Sequence, residues 1–158
     1  TNFRDLFLNP QNYPVTQKTI NLMENQKSTK VLNIVLWVLQ VVFAGMFIMA
    51  GFSKVAQSTE ELVQMLPWVA DVSAGLVKFI GVSELLGGIG LLLPALLKIK
   101  PELTSYAAYG LAVVMLLAAF FHGSRGEFSA IGANVVIGGI LAYVGRARIK
   151  KAPIAAKS

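Results

Sequence analysis

Four apolar runs, each about long enough to cross a bilayer, leave this chain few folds to choose from. They lie at about Val31 to Gly51, Gly75 to Leu97, Leu103 to Phe121 and Phe128 to Val144. Hydrocarbon offers no water to backbone N–H and C=O groups, so each run must satisfy its own hydrogen bonds as a helix. The expected fold is all-α, an integral membrane four-helix bundle. Composition agrees: 55% of the 158 residues are hydrophobic and 14% charged, where ordinary soluble domains carry roughly a quarter charged residues. Four helices of about 20 residues use over half the chain. One transmembrane domain, 31–144, is therefore expected between a polar N-terminal tail, 1–30, and a basic C-terminal tail, 145–158.

Fourteen Lys and Arg against eight Asp and Glu give a net charge of +6. In a soluble protein that excess raises the question of nucleic acid. Here the basic residues flank apolar runs, where they fix orientation and touch anionic headgroups, so no nucleic-acid role is read. Eleven of them fall on one side of the expected topology: Arg4, Lys18, Lys27 and Lys30 before the first span, Lys98 and Lys100 in the second loop, and Arg146, Arg148, Lys150, Lys151 and Lys157 after the last span. Lys54, Lys78 and Arg125 fall on the other, beside Glu60, Glu61 and Asp71. The positive-inside rule predicts cytoplasmic N and C termini, with the first and third loops outside. The absence of Cys excludes a disulfide, a thiolate metal site and thiol redox chemistry within the chain. Any redox role would need a partner or a bound cofactor.

Residues Thr1 to Lys30 scatter Asn, Gln and Lys around Pro10 and Pro14 without a sustained period, which predicts a poorly ordered arm. The long polar lead and the lack of a small-x-small motif after the first run argue against a signal peptide; Met23 offers a point where translation could begin. The first loop, Phe52 to Ala74, carries its own helix signal. Ser58 stands three residues before Glu61, the spacing of a capping box, and Leu62, Met65, Leu66 and Val69 follow at i, i+3, i+4 and i+7. Pro67 should kink or end that short amphipathic helix, and Trp68 suits a bilayer interface.

The topology gathers scattered polar residues at one level. Lys54 ends the first span, Glu84 lies ~13 Å into the second from the same face, His122 ends the third, and Asn134 lies ~9 Å into the fourth; Ser83 and Arg125 are close by in sequence. A charged side chain at bilayer depth costs at least a few kcal/mol, which makes Glu84 the leading functional candidate. Its stripe holds Gly81 and Gly88, Asn134 shares a stripe with Gly138, and Lys54 lies beside Ala50 and Gly51, so these polar groups face helix contacts rather than lipid. Glu84 can stay protonated, or pair with Lys54, His122 or Arg125. The candidate ligand and polar network is thus Lys54, Glu84, His122, Asn134 and Arg125; no catalytic residue is assigned. Each has a plainer reading: Glu84 as a packing group, His122 as an interfacial residue, Lys54 as a snorkelling terminator and Arg125 as a solvated turn residue. GGIG sits within a span and serves packing, not phosphate binding. One His with one Glu falls short of a metal set, so no metal is expected.

GFSK at the end of the first span, FIGVSELLGGIGLLLP through the second, a His closing the third and an Asn in the fourth resemble the DoxX-like (DoxX/DoxD) family of small four-helix bacterial membrane proteins. The resemblance covers about Val31 to Val144. It implies a bundle in the bacterial inner membrane, often associated with redox or sulfur metabolism; the related DoxD-type subunit belongs to a thiosulfate:quinone oxidoreductase. By position, Lys54, Glu84 and His122 fit the family's recurring polar residues. Eukaryotic relatives in the wider superfamily act as chaperones or cargo receptors, so fold alone does not fix function. Two expectations follow. One is a membrane subunit of a redox assembly, with no intrinsic cofactor, that binds a quinone or small ligand and partners oxidoreductase subunits or further copies of itself. The other is a noncatalytic scaffold or chaperone-like protein whose polar cluster organises packing.

Overall fold

The structure, a computed structural model, describes the backbone of residues 14–157 and side chains from 18 onward. Its helices are α1 (Pro14–Ala56), α2 (Thr59–Met65), a 3-10 turn (Pro67–Asp71), α3 (Ala74–Leu97), α4 (Glu102–Ser124) and α5 (Phe128–Lys150). Among the described residues there is no strand, and α1, α3, α4 and α5 are each long and apolar enough to cross a membrane. The all-α class expected from the four runs therefore holds.

The helix ends follow local chemistry. Ser73 caps α3, its hydroxyl accepting from the Leu76 N–H at 3.3 Å, and Lys98 in a left-handed conformation (φ 56°) closes it. Two boundaries differ from expectation. α1 begins at Pro14, so residues 14–30, expected to be irregular, are helical. A helix already nucleated by an apolar span propagates backwards at little cost through residues such as Gln17, Lys18, Leu22, Met23 and Glu24, until Pro14, whose fixed φ suits a helix start. The expectation for residues 1–13 lies outside the described residues. α5 runs to Lys150 rather than Val144, because Ala147 and Arg148 are buried.

The chain divides into two units, 1–35 and 36–158. In the first, the described part of α1 exposes nearly every side chain, Ile20, Leu22 and Met23 among them. In the second, α4 packs against both α3 and α5, and the rest of α1 lies on α3. Leu36, Phe47, Leu91, Leu111, Leu141 and Val144 make its core, each under about 2% exposed. The α1–α3 seam depends on missing side chains. A Cβ on Gly51 would lie 2.5 Å from the Gly81 carbonyl oxygen, and one on Gly88 would lie 3.0 Å from the Ala44 oxygen, so the two backbones touch where the sequence stripe of small residues predicts. Leu86, Phe120 and Val136 point outward, as they should in lipid.

A buried polar tie crosses this unit. Gln40 donates from Nε2 to the Leu91 carbonyl at 2.7 Å, and Arg148 Nε donates to Gln40 Oε1 at 2.6 Å. Arg148 also donates to the Ala152 carbonyl at 3.2 Å and lies 5.3 Å from the Trp37 ring centroid. One amide and one guanidinium thereby join α1, α3 and α5. Beyond α5 the chain turns back, and the Lys157 N–H donates to the Lys98 carbonyl at 2.9 Å.

Candidate functional site

The segment between α1 and α3 is built as its sequence suggests. Ser58 and Glu61 form the capping box in both directions, at 3.3 Å and 3.2 Å, so α2 starts at Thr59. Leu66 and Pro67 end it, and the chain tightens into the 3-10 turn. Leu62 and Val69 are buried with Val77 of α3, which seats the segment on the bundle. Lys78 helps from below, donating from Nζ to the carbonyls of Val55 and Gln57 at 2.7 and 2.9 Å and so satisfying acceptors at the end of α1.

Beneath this segment lies a cavity of about 390 Å³. Its walls are apolar and partly aromatic, with Trp68, Phe79 and Phe121 prominent, and Trp68 meets Phe121 edge-on at 5.8 Å. Lys54, Ser83, Glu84, His122 and Asn134 supply its polar groups. Four of the five candidate residues thus converge on one space. Lys54 and Glu84, 7% and 5% exposed, form an ion pair with Nζ and Oε2 2.6 Å apart. Of the three partners open to Glu84, it is Lys54 that lies within reach.

The polar groups divide into two hydrogen-bonded sets, Lys54 with Glu84 and His122 with Glu127 and Arg125. Among the described residues, neither His122 nor Arg125 hydrogen-bonds to Glu84. His122 Nδ1 meets Glu127 Oε2. Arg125 Nε donates to Glu127 Oε1 at 2.7 Å, its Nη1 donates to Asp71, and its guanidinium lies 5.6 Å from the Phe121 centroid. The reason is geometric: the turn from α4 to α5 places Glu127 within reach of both His122 and Arg125, while Glu84 lies deeper and its oxygen is taken by Lys54. Arg125 does not line the cavity. It clasps the 3-10 turn, through Asp71, to the α4–α5 turn. These groups lie at the helix ends, and their electrostatics reflect it. Arg125 and then His122 hold the Glu127 carboxyl below its ordinary value, while Glu127 and then Asp71 raise the Arg125 guanidinium.

Asn134 has no hydrogen-bond partner among the described residues. It borders the cavity and also a shallower groove of about 330 Å³ between α4 and α5, where Gly138 lets the helices approach. Sequence reasoning passed over Glu127, and it passed over Gln40, although Gln40 interrupts an apolar run just as Glu84 does.

The sequence profile of the DoxX-like family matches residues 38–144, which contain α3, α4 and the bundle part of α1 with the bound pair. The protein belongs to the DoxX-like family. No curated relative and no solved structure matches it. Membership and the four apolar helices make this DoxX-like chain a multi-pass membrane protein in contact with the lipid bilayer.

Proposed function

We propose that the protein is a membrane subunit of a redox-associated assembly, and that its cavity takes a quinone or a small ligand of similar shape. The observation that supports this reading is the convergence of Lys54, Glu84, His122 and Asn134 on one apolar-walled space of about 390 Å³. A few directed polar groups in an apolar, aromatic cleft are the usual make-up of a small-molecule site. A quinone suits it chemically: a flat ring stacks among Trp68, Phe79 and Phe121, and its two oxygens need hydrogen-bonding groups at the rim. On this reading the protein sits in the bacterial inner membrane with both termini cytoplasmic, so the cavity lies in the outer half of the bilayer. Its partners are oxidoreductase subunits or further copies of itself.

The scaffold reading draws on a different observation. The Lys54–Glu84 pair satisfies itself and sits beside the Gly51–Gly81 contact, as a group serving only packing would. Native mass spectrometry of the gently purified protein, followed by thermal unfolding in detergent with added decyl-benzoquinone, separates the two. Co-purified quinone, or stabilisation that is lost in His122→Leu and Asn134→Leu, supports the ligand site. A ligand-free bundle indifferent to quinone supports the scaffold.

A further inference from the structure

His122 faces two ways. Its ring lines the cavity, and its Nδ1 is engaged by Glu127, whose other oxygen is held by Arg125. The carboxylate accepts hydrogen bonds and cannot donate one. The proton of a neutral imidazole must therefore sit on Nδ1, which leaves a lone pair on Nε2. Among the described residues Nε2 has no hydrogen-bond partner. The other polar groups are less selective: Lys54 is bound to Glu84, the Ser83 hydroxyl donates to the Phe79 carbonyl, and the Asn134 amide offers both a donor and an acceptor.

We propose that Glu127 fixes His122 as a hydrogen-bond acceptor toward the cavity, so that the site prefers an occupant carrying a hydroxyl group: a lipophilic phenol, and the hydroquinone form where the occupant is a quinone. The inference rests on the ligand reading above and adds the chemical form of the ligand. A phenolic O–H donates to Nε2. A carbonyl or ether oxygen in the same place would set lone pair against lone pair, leaving a buried acceptor unsatisfied. Glu127 acts through His122 as a positioning residue, and Arg125 with Asp71 holds it in place from the 3-10 turn. An anionic Glu127 is what its environment favours, since Arg125 and His122 both draw its carboxyl below the ordinary value.

The test compares 4-decylphenol with 4-decylanisole, which differ only in the O–H, and includes decyl-benzoquinone. Binding is measured to the detergent-solubilised full chain at about pH 8. Phenol should bind about tenfold more tightly than anisole, the worth of one hydrogen bond. In Glu127→Gln the preference should vanish, because the new amide can donate to Nδ1 and release the ring proton to Nε2. The chain has one histidine, so ¹⁵N-histidine labelling reports the tautomer directly and without any substitution. The wild type should show a protonated Nδ1 and a bare Nε2. Equal binding of phenol and anisole, or a proton on Nε2 in the wild type, overturns the inference. If decyl-benzoquinone binds in that case, the ligand reading survives; if none of the three compounds binds, both fall.

Discussion

Removing Lys54 alone should harm the protein more than removing the pair. Lys54→Met strands a buried carboxylate, at a cost of about 3–5 kcal/mol, whereas the double change with Glu84→Gln takes out charge and counter-charge together and should recover most of it. Unfolding of the four variants of this cycle in mixed micelles gives the coupling; additivity within about 0.5 kcal/mol would deny the contact. His122→Leu combined with Glu84→Gln should be additive, because His122 turns to Glu127 instead. The Glu127 clasp has its own signature. A carboxyl lowered on folding stabilises fully above its ordinary value of 4.5 and stops doing so as pH falls through the lowered one. The stability gap between wild type and Glu127→Gln should therefore close as pH falls below about 4.5, which a pH series of thermal melts would show.

Among the elements, what could be read from the sequence was what is decided locally. Ser58, Glu61 and Pro67 specify the start and end of α2 within a few residues, so its limits were legible. Ser58→Ala should cost about 1 kcal/mol and loosen Trp68 over the cavity, measurable as a change in tryptophan fluorescence anisotropy. The glycine stripe also announced itself, because small residues at i−3 and i+4 from a buried polar group mark a helix seam. Gly81→Leu should be among the most damaging single changes, since the added side chain meets Lys54 Cβ and the Gly51 carbonyl; expression and detergent melting temperature would report it. Other features depended on partners distant in the chain. Gln40 meets Arg148 across 108 positions, and no local pattern announces that. Glu127 was within reach in the motif HGSRGEF, but its partners follow from how a turn folds rather than from a helical spacing. The early start of α1 reflects propagation from its span, which a search for apolar period does not detect.

For the whole molecule, the distribution of basic residues predicts that both termini face the cytoplasm. Because the chain contains no Cys, single Gln57→Cys and Lys157→Cys variants carry no background. A membrane-impermeant maleimide should label the first and not the second from outside the cell, and labelling of Lys157→Cys would invert the topology and move the cavity to the other leaflet. The fold as a whole was legible because four apolar runs in lipid admit one solution, while the cavity was legible only as a level at which polar residues meet. Its division into a Lys54–Glu84 pair and a separate His122–Glu127–Arg125–Asp71 chain required the turns in three dimensions.

The partnership of Lys54 and Glu84 also bears on how the protein behaves in an energised cell. A transmembrane potential acts on each elementary charge with about 2.3 kcal/mol per 100 mV across the full membrane, and a charge part-way through feels a fraction of that. Two opposite charges 2.6 Å apart cancel, so the field finds almost no handle on the bundle at this point. Glu84→Gln would leave a lone cation there, and Lys54→Met a lone anion, pulled in opposite directions by the same voltage. In vesicles, the stability of the wild type and of the double variant should be indifferent to an imposed potential, while the two single variants should shift with opposite sign.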